Sequence, residues 1–250
     1  MLPQINTTPG YKRVAELIEK EVLSGRLPIG ATLPIEGDLA EQLGVHRSTV
    51  REGLRALENA GLVRRGAGKR LVVAAPDPAD LARSNARALG LTKVTFLDLW
   101  EMQMLLEPFS ARLASSRATP DQAAALLGSV AQLAGCLDDD RAVIEHDLTF
   151  HRLIAEAAGN AALPLSTAPV GLLLFSATLD LYQRVPAARY RLIEAHGQIA
   201  RAIGDRDDAR AELWMLRHIR DFRRGYELGG LQMDAPIQID ERAINGRFQN

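Results

Sequence analysis

Apolar positions along this chain recur mostly at helical spacing, and only one short stretch breaks into strand-like segments. Val14, Leu17, Ile18 and Val22 repeat in three- and four-residue steps, predicting a helix from Tyr11 to Leu23 that Ser24-Gly25 ends. Leu39, Ala40 and Leu43 share one face of a short second helix, with Glu36 in its first turn, favourable for the helix dipole. Gly44 ends that helix, because a residue without Cβ enters the left-handed conformation of a helix terminus cheaply. Val45 fills the corner, Ser48 or its neighbours can cap the next helix, and Val50, Leu54 and Leu57 face inward from it. Before this pair, GRLPIGATLPIEGDLA breaks helix with its prolines and glycines, while Thr32-Leu33 can run extended. After it, Leu62–Arg65, Gly66-Ala67-Gly68 and Lys69–Val73 read as strand, turn and strand. Residues 1–10, with Pro3, Pro9 and Gly10, are expected to form a loose arm.

Pro76-Asp77-Pro78 interrupts both helix and strand, so residues 76–80 form a linker between a first domain, 1–75, and a second, 81–228. The second domain is helical throughout. Ala79–Leu89 is closed by Gly90, and Thr95–Arg117 turns Leu99, Met102, Leu106, Phe109 and Leu113 inward, with Pro108 as a bend. Thr119 caps a helix that Pro120 begins, and Arg141–Ala158 is terminated by Gly159-Asn160. Pro164 and Pro169 predict a broken entry before a helix over Val170–Tyr182; Ala188–Ile203 and Ala209–Leu228 follow. Residues 229–250 lack a helical period and are expected to be disordered or to pair with a partner. The fold class is therefore mainly α: a helical head with a hairpin, then an all-α antiparallel bundle.

Composition narrows the class. The chain has 250 residues, 47% apolar and 24% charged, which are those of a soluble globular protein. No run approaches the roughly 20 apolar residues of a bilayer span, and the first residues lack the apolar core of a secretory signal. With a single cysteine, Cys136, the expectation is a cytoplasmic protein without disulfides or membrane. The net charge of −1 hides an asymmetry: residues 1–75 carry 11 Lys and Arg against 8 Asp and Glu, and the remainder 19 against 23. A mildly basic head on a mildly acidic body suits nucleic-acid binding by the head.

The head has the chemistry for it. Arg47, Ser48, Thr49 and Arg51 crowd the exposed start of the third helix, where cations and hydroxyls can meet base edges and phosphates in a major groove. The hairpin adds a cationic rim of Arg64, Arg65, Lys69 and Arg70, making a winged helix-turn-helix. At these residues the chain resembles the GntR family of bacterial transcription regulators. The resemblance is carried by the Gly25–Pro34 approach G-x-L-x-x-G-x-x-L-P, the R-x-T-V-R-E helix from Arg47, the L-E-x-x-G-L exit from Leu57, and the glycine wing. It implies DNA contacts by Arg47, Ser48, Thr49 and Arg51, with Arg64, Lys69 and Gly68 at the wing. Two departures bear on specificity. His46 stands where Ser or Thr is usual, altering one phosphate or capping contact. Gly37 stands where many members carry a base-contacting arginine, a loss of about 1–3 kcal/mol of discrimination.

Four of the five histidines lie in the body. Asp147 and His151, at i and i+4, share a helix face, while His196 and His218 sit on two later helices. One carboxylate and three imidazoles meeting in a bundle would suit a borderline divalent metal such as Zn²⁺ or Ni²⁺. His146 points about 100° away and is left out. The body is similar to the FCD effector domain of the FadR subfamily over roughly residues 80–228, through Asp147, His151 and Asn160, then His196, Ile199, Ala202, Ile203 and Asp207, then His218. That resemblance implies a metal on Asp147, His151, His196 and His218, with open positions for a small carboxylate effector. Gln103 replaces an arginine expected to face the acid, so either the metal holds it alone, Arg152 or Arg189 substitutes, or the ligand is less acidic.

The implied function is a homodimeric repressor of a metabolic operon, bound to a palindromic operator and released by an organic acid. Two other readings stand beside it. One is a metal-dependent hydrolase, for which Glu145 and Glu194 lie off the ligand faces and no general base is placed. The other is a metal-free sensor whose histidines touch the ligand directly.

Overall fold

The computed structural model describes residues 8–245, in two compact units that divide between Asp77 and Pro78. Most of the expected N-terminal arm, residues 1–7, and the last part of the tail, 246–250, lie outside the described residues.

In the first unit, α1 (Gly10–Leu23), α2 (Glu36–Leu43) and α3 (Arg47–Asn59) precede an antiparallel hairpin of β1 (Val63–Arg65) and β2 (Leu71–Val73). The expected extended segment joins this hairpin: Thr32 bridges Val72, and Leu33 donates its N–H to the Leu71 carbonyl at 2.8 Å. Of the predicted core, Val14, Ile18, Leu39, Val50, Leu54 and Leu57 are buried with Val63 and Val73, while Val22 is half-buried and Leu17 is exposed. Gly44 takes φ 63°, as a helix-ending glycine should. Ser48 does not cap α3: His46 holds the N-cap position and makes no side-chain capping bond. The first turn therefore keeps backbone N–H groups without a side-chain partner, a favourable end for a phosphate.

The second unit comprises α4 (Pro78–Leu91), α5 (Phe96–Arg117), α6 (Pro120–Ala134), α7 (Asp140–Ala157), α8 (Ala162–Arg184), α9 (Ala188–Gly204), α10 (Asp208–Leu228) and a short α11 (Glu241–Ile244). Side chains define the starts. Thr95 with Asp98 and Thr119 with Gln122 form capping boxes, and Asp139, Asp207 and Asp240 cap α7, α10 and α11. α10 packs on α5 and α9, α8 on α4 and α7, and α6 on α7 and α9.

Several expectations need correcting. α8 has no broken entry. Pro164 falls in its first turn, where an N–H would lack a helical partner, and buried Pro169 costs one internal bond that packing offsets. α8 is also long and apolar enough, by length and composition, to cross a membrane; half of that stretch is buried, with Leu173, Leu174, Phe175 and Leu181 in the core. On α5, Leu99 is buried as expected, but Met102 and Phe109 are exposed, and the inward face is Phe96, Glu107, Ser110, Ala111, Ala114 and Ser115. Small residues win that face because they let neighbouring helices approach closely.

Gly90 lies inside α4 rather than ending it, and a Cβ there would fall 2.2 Å from Ile239 Cδ1. That contact belongs to the segment expected to be loose. Residues 229–245 instead strap the body. Leu97 donates to the Met233 carbonyl and Ile237 to that of Val94, each at 3.0 Å. Arg141 pairs with Asp240 at 2.7 Å, and Ala243 and Ile244 are buried in the main core. Period alone missed the strap because it is extended, with one turn of helix at its end.

Candidate functional site

The candidate DNA-binding residues lie at the start of α3 and on the hairpin of the first unit. His46, Arg47, Ser48 and Arg51 are exposed at the start of α3, and Thr49 is half-buried, its methyl near Gly10. Arg64 is exposed on β1, and Gly68 is exposed at the hairpin tip with φ 70°. Lys69 belongs to the same turn. Two of the arginines are oriented by neighbours. Arg51 sets Nε and Nη2 each 3.0 Å from Glu36 Oε2, and the Arg47 guanidinium lies over Gly37, where a Cβ would stand 2.9 Å from Nη2. The missing side chain at Gly37 is thus the space that Arg47 occupies.

In the second unit, α7 supplies Asp147 and His151 one turn apart, α9 supplies His196 and α10 supplies His218. The four candidate ligand atoms lie within 4.8 Å of one another. Asp147 Oδ1 stands 3.1 Å from His196 Nε2 and 3.6 Å from His151 Nε2, and His151 Nε2 stands 3.2 Å from His218 Nε2. His196 is fully buried and stacks on Phe150 with ring centroids 3.9 Å apart. Asp147 Oδ1 and both ring nitrogens of His196 are buried without an aligned hydrogen-bond partner. Orphaned polar atoms in a core are costly, and convergence of several on one point is the pattern a cation resolves.

Electrostatics prepares the ligands for that role. Burial raises the Asp147 carboxyl, but attraction to His196, His151 and His218 overrides it and leaves the group at about 2. Burial lowers His196, and takes His218 well below the ordinary imidazole range with help from the neighbouring histidines. An ionised carboxylate and neutral imidazoles are the forms that bind metal. His151 goes the other way. Burial lowers it, but the charge and hydrogen bond of Glu107, with Asp147, push it up to about 9.

Glu107, buried on α5, is the site residue that sequence reasoning missed; its Oε2 lies 3.0 Å from His151 Nδ1. No local pattern marks it, since its partner is on another helix. Its contact orients His151 so that Nε2 faces His218 and Asp147, a carboxylate–imidazole arrangement that fixes tautomer and ring angle. Glu107→Gln is expected to weaken metal binding about 10- to 100-fold, measured by competition with a chromophoric chelator. An unchanged affinity would remove this orienting role.

The cluster opens on a cavity of about 450 Å³ that Gln103, Glu107, Glu145, Asp147, His151, Arg152 and His218 border together with many apolar side chains. Gln103 and Arg152, two of the four expected effector contacts, are therefore on its wall. The other two are elsewhere. Asn160 accepts a hydrogen bond from the Ala162 N–H at the start of α8. Arg189 pairs with Asp140 and donates to the Leu137 and Tyr182 carbonyls. Both were implied by resemblance or charge, and local capping and ion pairing claim them instead.

Comparison with known proteins joins the two halves. Residues 10–73 match the bacterial regulatory proteins of the gntR family, and residues 98–221 match the FCD domain. The chain belongs to the GntR family, in the branch carrying an FCD domain. An uncharacterised HTH-type transcriptional regulator of Mycobacterium tuberculosis is 35% identical over 158 residues, which cover 62% of this chain and 64% of that one. The Glc operon transcriptional activator of Escherichia coli is 28% identical over 84% of this chain and 86% of its own length. The transcriptional repressor NanR of Klebsiella aerogenes is 28% identical over 84% of each. Among solved structures, Streptococcus agalactiae GntR superposes with a TM-score of 0.60 at 28% identity, covering 86% of this chain and 99% of that one. Both domains and these named relatives are those of transcription regulators, not enzymes. This GntR-family chain therefore pairs a DNA-binding head with an effector domain whose candidate metal ligands converge.

Proposed function

We propose that the protein is a cytoplasmic, homodimeric repressor of a metabolic operon whose hold on a palindromic operator is released by an organic acid. The observation that carries this reading is the convergence of Asp147, His151, His196 and His218 beside a cavity, in a chain whose other unit exposes a cationic recognition helix. The donor set, three imidazole nitrogens and one carboxylate oxygen, fits Zn²⁺ or Ni²⁺, and a metal held there would act as a Lewis acid toward a carboxylate. Met102, Leu105 and Phe109, exposed at i, i+3 and i+7 on α5, support a dimer through the body. Two heads related by a two-fold axis would read half-sites about one turn of DNA apart.

Operator affinity and acid affinity must be coupled reciprocally in such a regulator. A gel-shift titration with Zn²⁺-loaded protein, on an operator selected from random duplexes, tests this. The acid that binds the body is expected to lower operator affinity about 5- to 150-fold. Acid binding that leaves operator affinity unchanged would refute the regulatory link, and a rise would reverse the sign to activation by ligand.

A further inference from the structure

Beside the ligand cluster, the cavity wall is largely apolar. Leu148, Leu172, Leu174, Leu192, Ile219 and Phe222 all face it. Its volume of about 450 Å³ is more than a two- or three-carbon acid fills. Ala82 of α4 and Ala243 of α11 also border it, and both lie outside the stretch that matches the FCD domain. The cavity is thus bordered in part by helices outside that matched stretch.

The charges on the wall argue in the same direction. Its two arginines are engaged: Arg83 pairs with Asp80, and Arg152 pairs with Glu156 at 2.6 Å. Arg189, the other cation considered at this place, is outside the cavity. Glu107, Glu145 and Glu156 also border it. A second carboxylate on the ligand would therefore have to draw Arg83 or Arg152 out of an intrahelical ion pair and sit beside Glu107, Glu145 and Glu156. Gln103 occupies the place where an arginine would serve such a group, and its Oε1 is buried without a partner. Its amide offers both a donor and an acceptor to the cavity, and a ligand hydroxyl can use either one.

We infer that the effector is an amphipathic monocarboxylic acid: one carboxylate at the ligand cluster, a nearby hydroxyl for Gln103, and an extended apolar body along α8. The inference rests on the acid-effector reading above and narrows it. The three glutamates on the wall disfavour di- and tricarboxylates, and very short acids leave the apolar cavity wet.

Calorimetry on the full-length, Zn²⁺-loaded protein tests this with butanoate, hexanoate, octanoate, 3-hydroxyoctanoate, succinate and citrate as probes. Affinity is expected to rise about fourfold per added methylene from butanoate to octanoate. The 3-hydroxy acid should bind more tightly than octanoate in the wild type, and that gain should disappear in Gln103→Leu. Ala168→Phe, which fills the cavity wall on α8, should flatten the chain-length slope while leaving Zn²⁺ affinity unchanged, showing that the fold persists. A flat slope in the wild type, or succinate or citrate binding more tightly than octanoate, would overturn the inference and leave the acid-effector reading standing. No heat from any of the acids would sink that reading, and the inference with it.

Discussion

Arg51→Ala is expected to abolish sequence-specific operator binding while leaving metal binding in the body intact. The expectation follows from position and from a comparison of energies. Arg51 is exposed on the first turns of α3, and its guanidinium is already extended and held by Glu36 at 3.0 Å. An exposed ion pair of this kind is worth about 0–1 kcal/mol, so releasing it onto DNA costs little. A bidentate contact to guanine is worth about 1–3 kcal/mol of discrimination. Removed from both half-sites of the proposed dimer, it amounts to about 2–6 kcal/mol, a factor of about thirty to more than ten thousand. Fluorescence anisotropy on the selected operator and on a scrambled duplex measures it. If Arg51 meets only phosphate, affinity would fall alike on both duplexes and the salt slope would drop by about one for each phosphate left unneutralised, and base recognition by this residue would be ruled out. Arg47→Ala is expected to behave similarly, with one difference. Because its guanidinium lies over Gly37, Gly37→Ala should displace it and alter base preference without removing a charge.

The head was legible in the sequence because its rules are local. Gly44 ends α2, Val50, Leu54 and Leu57 define one face of α3, and the glycine-bearing turn joins the two strands; each reads from a window of a few residues. The body was legible in its helices and less so in its faces. On α5, periodicity favoured the large residues Met102 and Phe109, while packing selected Ala111, Ala114 and Ser115, and the two criteria point to different sides of one helix. Helix spacing brought Asp147 and His151 together, the later helices offered His196 and His218, the resemblance pointed to the same four, and all four converge. Glu107 stayed hidden because its partner, His151, lies 44 residues away. The strap over residues 229–245 stayed hidden because an extended segment that buries Ile244 and places Ile239 against Gly90 has no period to detect.

Removing one ligand should have the largest effect in the body: His196→Ala is expected to abolish stoichiometric Zn²⁺ or Ni²⁺ binding and its stabilisation of the fold. His196 is the informative choice because it is fully buried, with both ring nitrogens lacking an aligned partner, so the surrounding protein gives it little other work. A metal at one hundred times its dissociation constant adds about 2.7 kcal/mol to the folded state. For a unit of this size that corresponds to a rise in Tm of about 5–11 °C. The wild type should show that rise on adding metal and lose it with a chelator; His196→Ala should show neither. Asp147→Asn separates charge from shape, since it preserves volume but removes the anion that the three imidazoles surround. It should weaken binding strongly while keeping the helices packed, as read by circular dichroism. The competing explanation is a purely structural cluster, in which Asp147 and the histidines stabilise one another without an ion. That arrangement predicts a chelator-insensitive Tm in the wild type and a destabilised His196→Ala that metal affects as little as it does the wild type. The two explanations diverge in a single pair of melting curves, with and without metal, on the same two proteins.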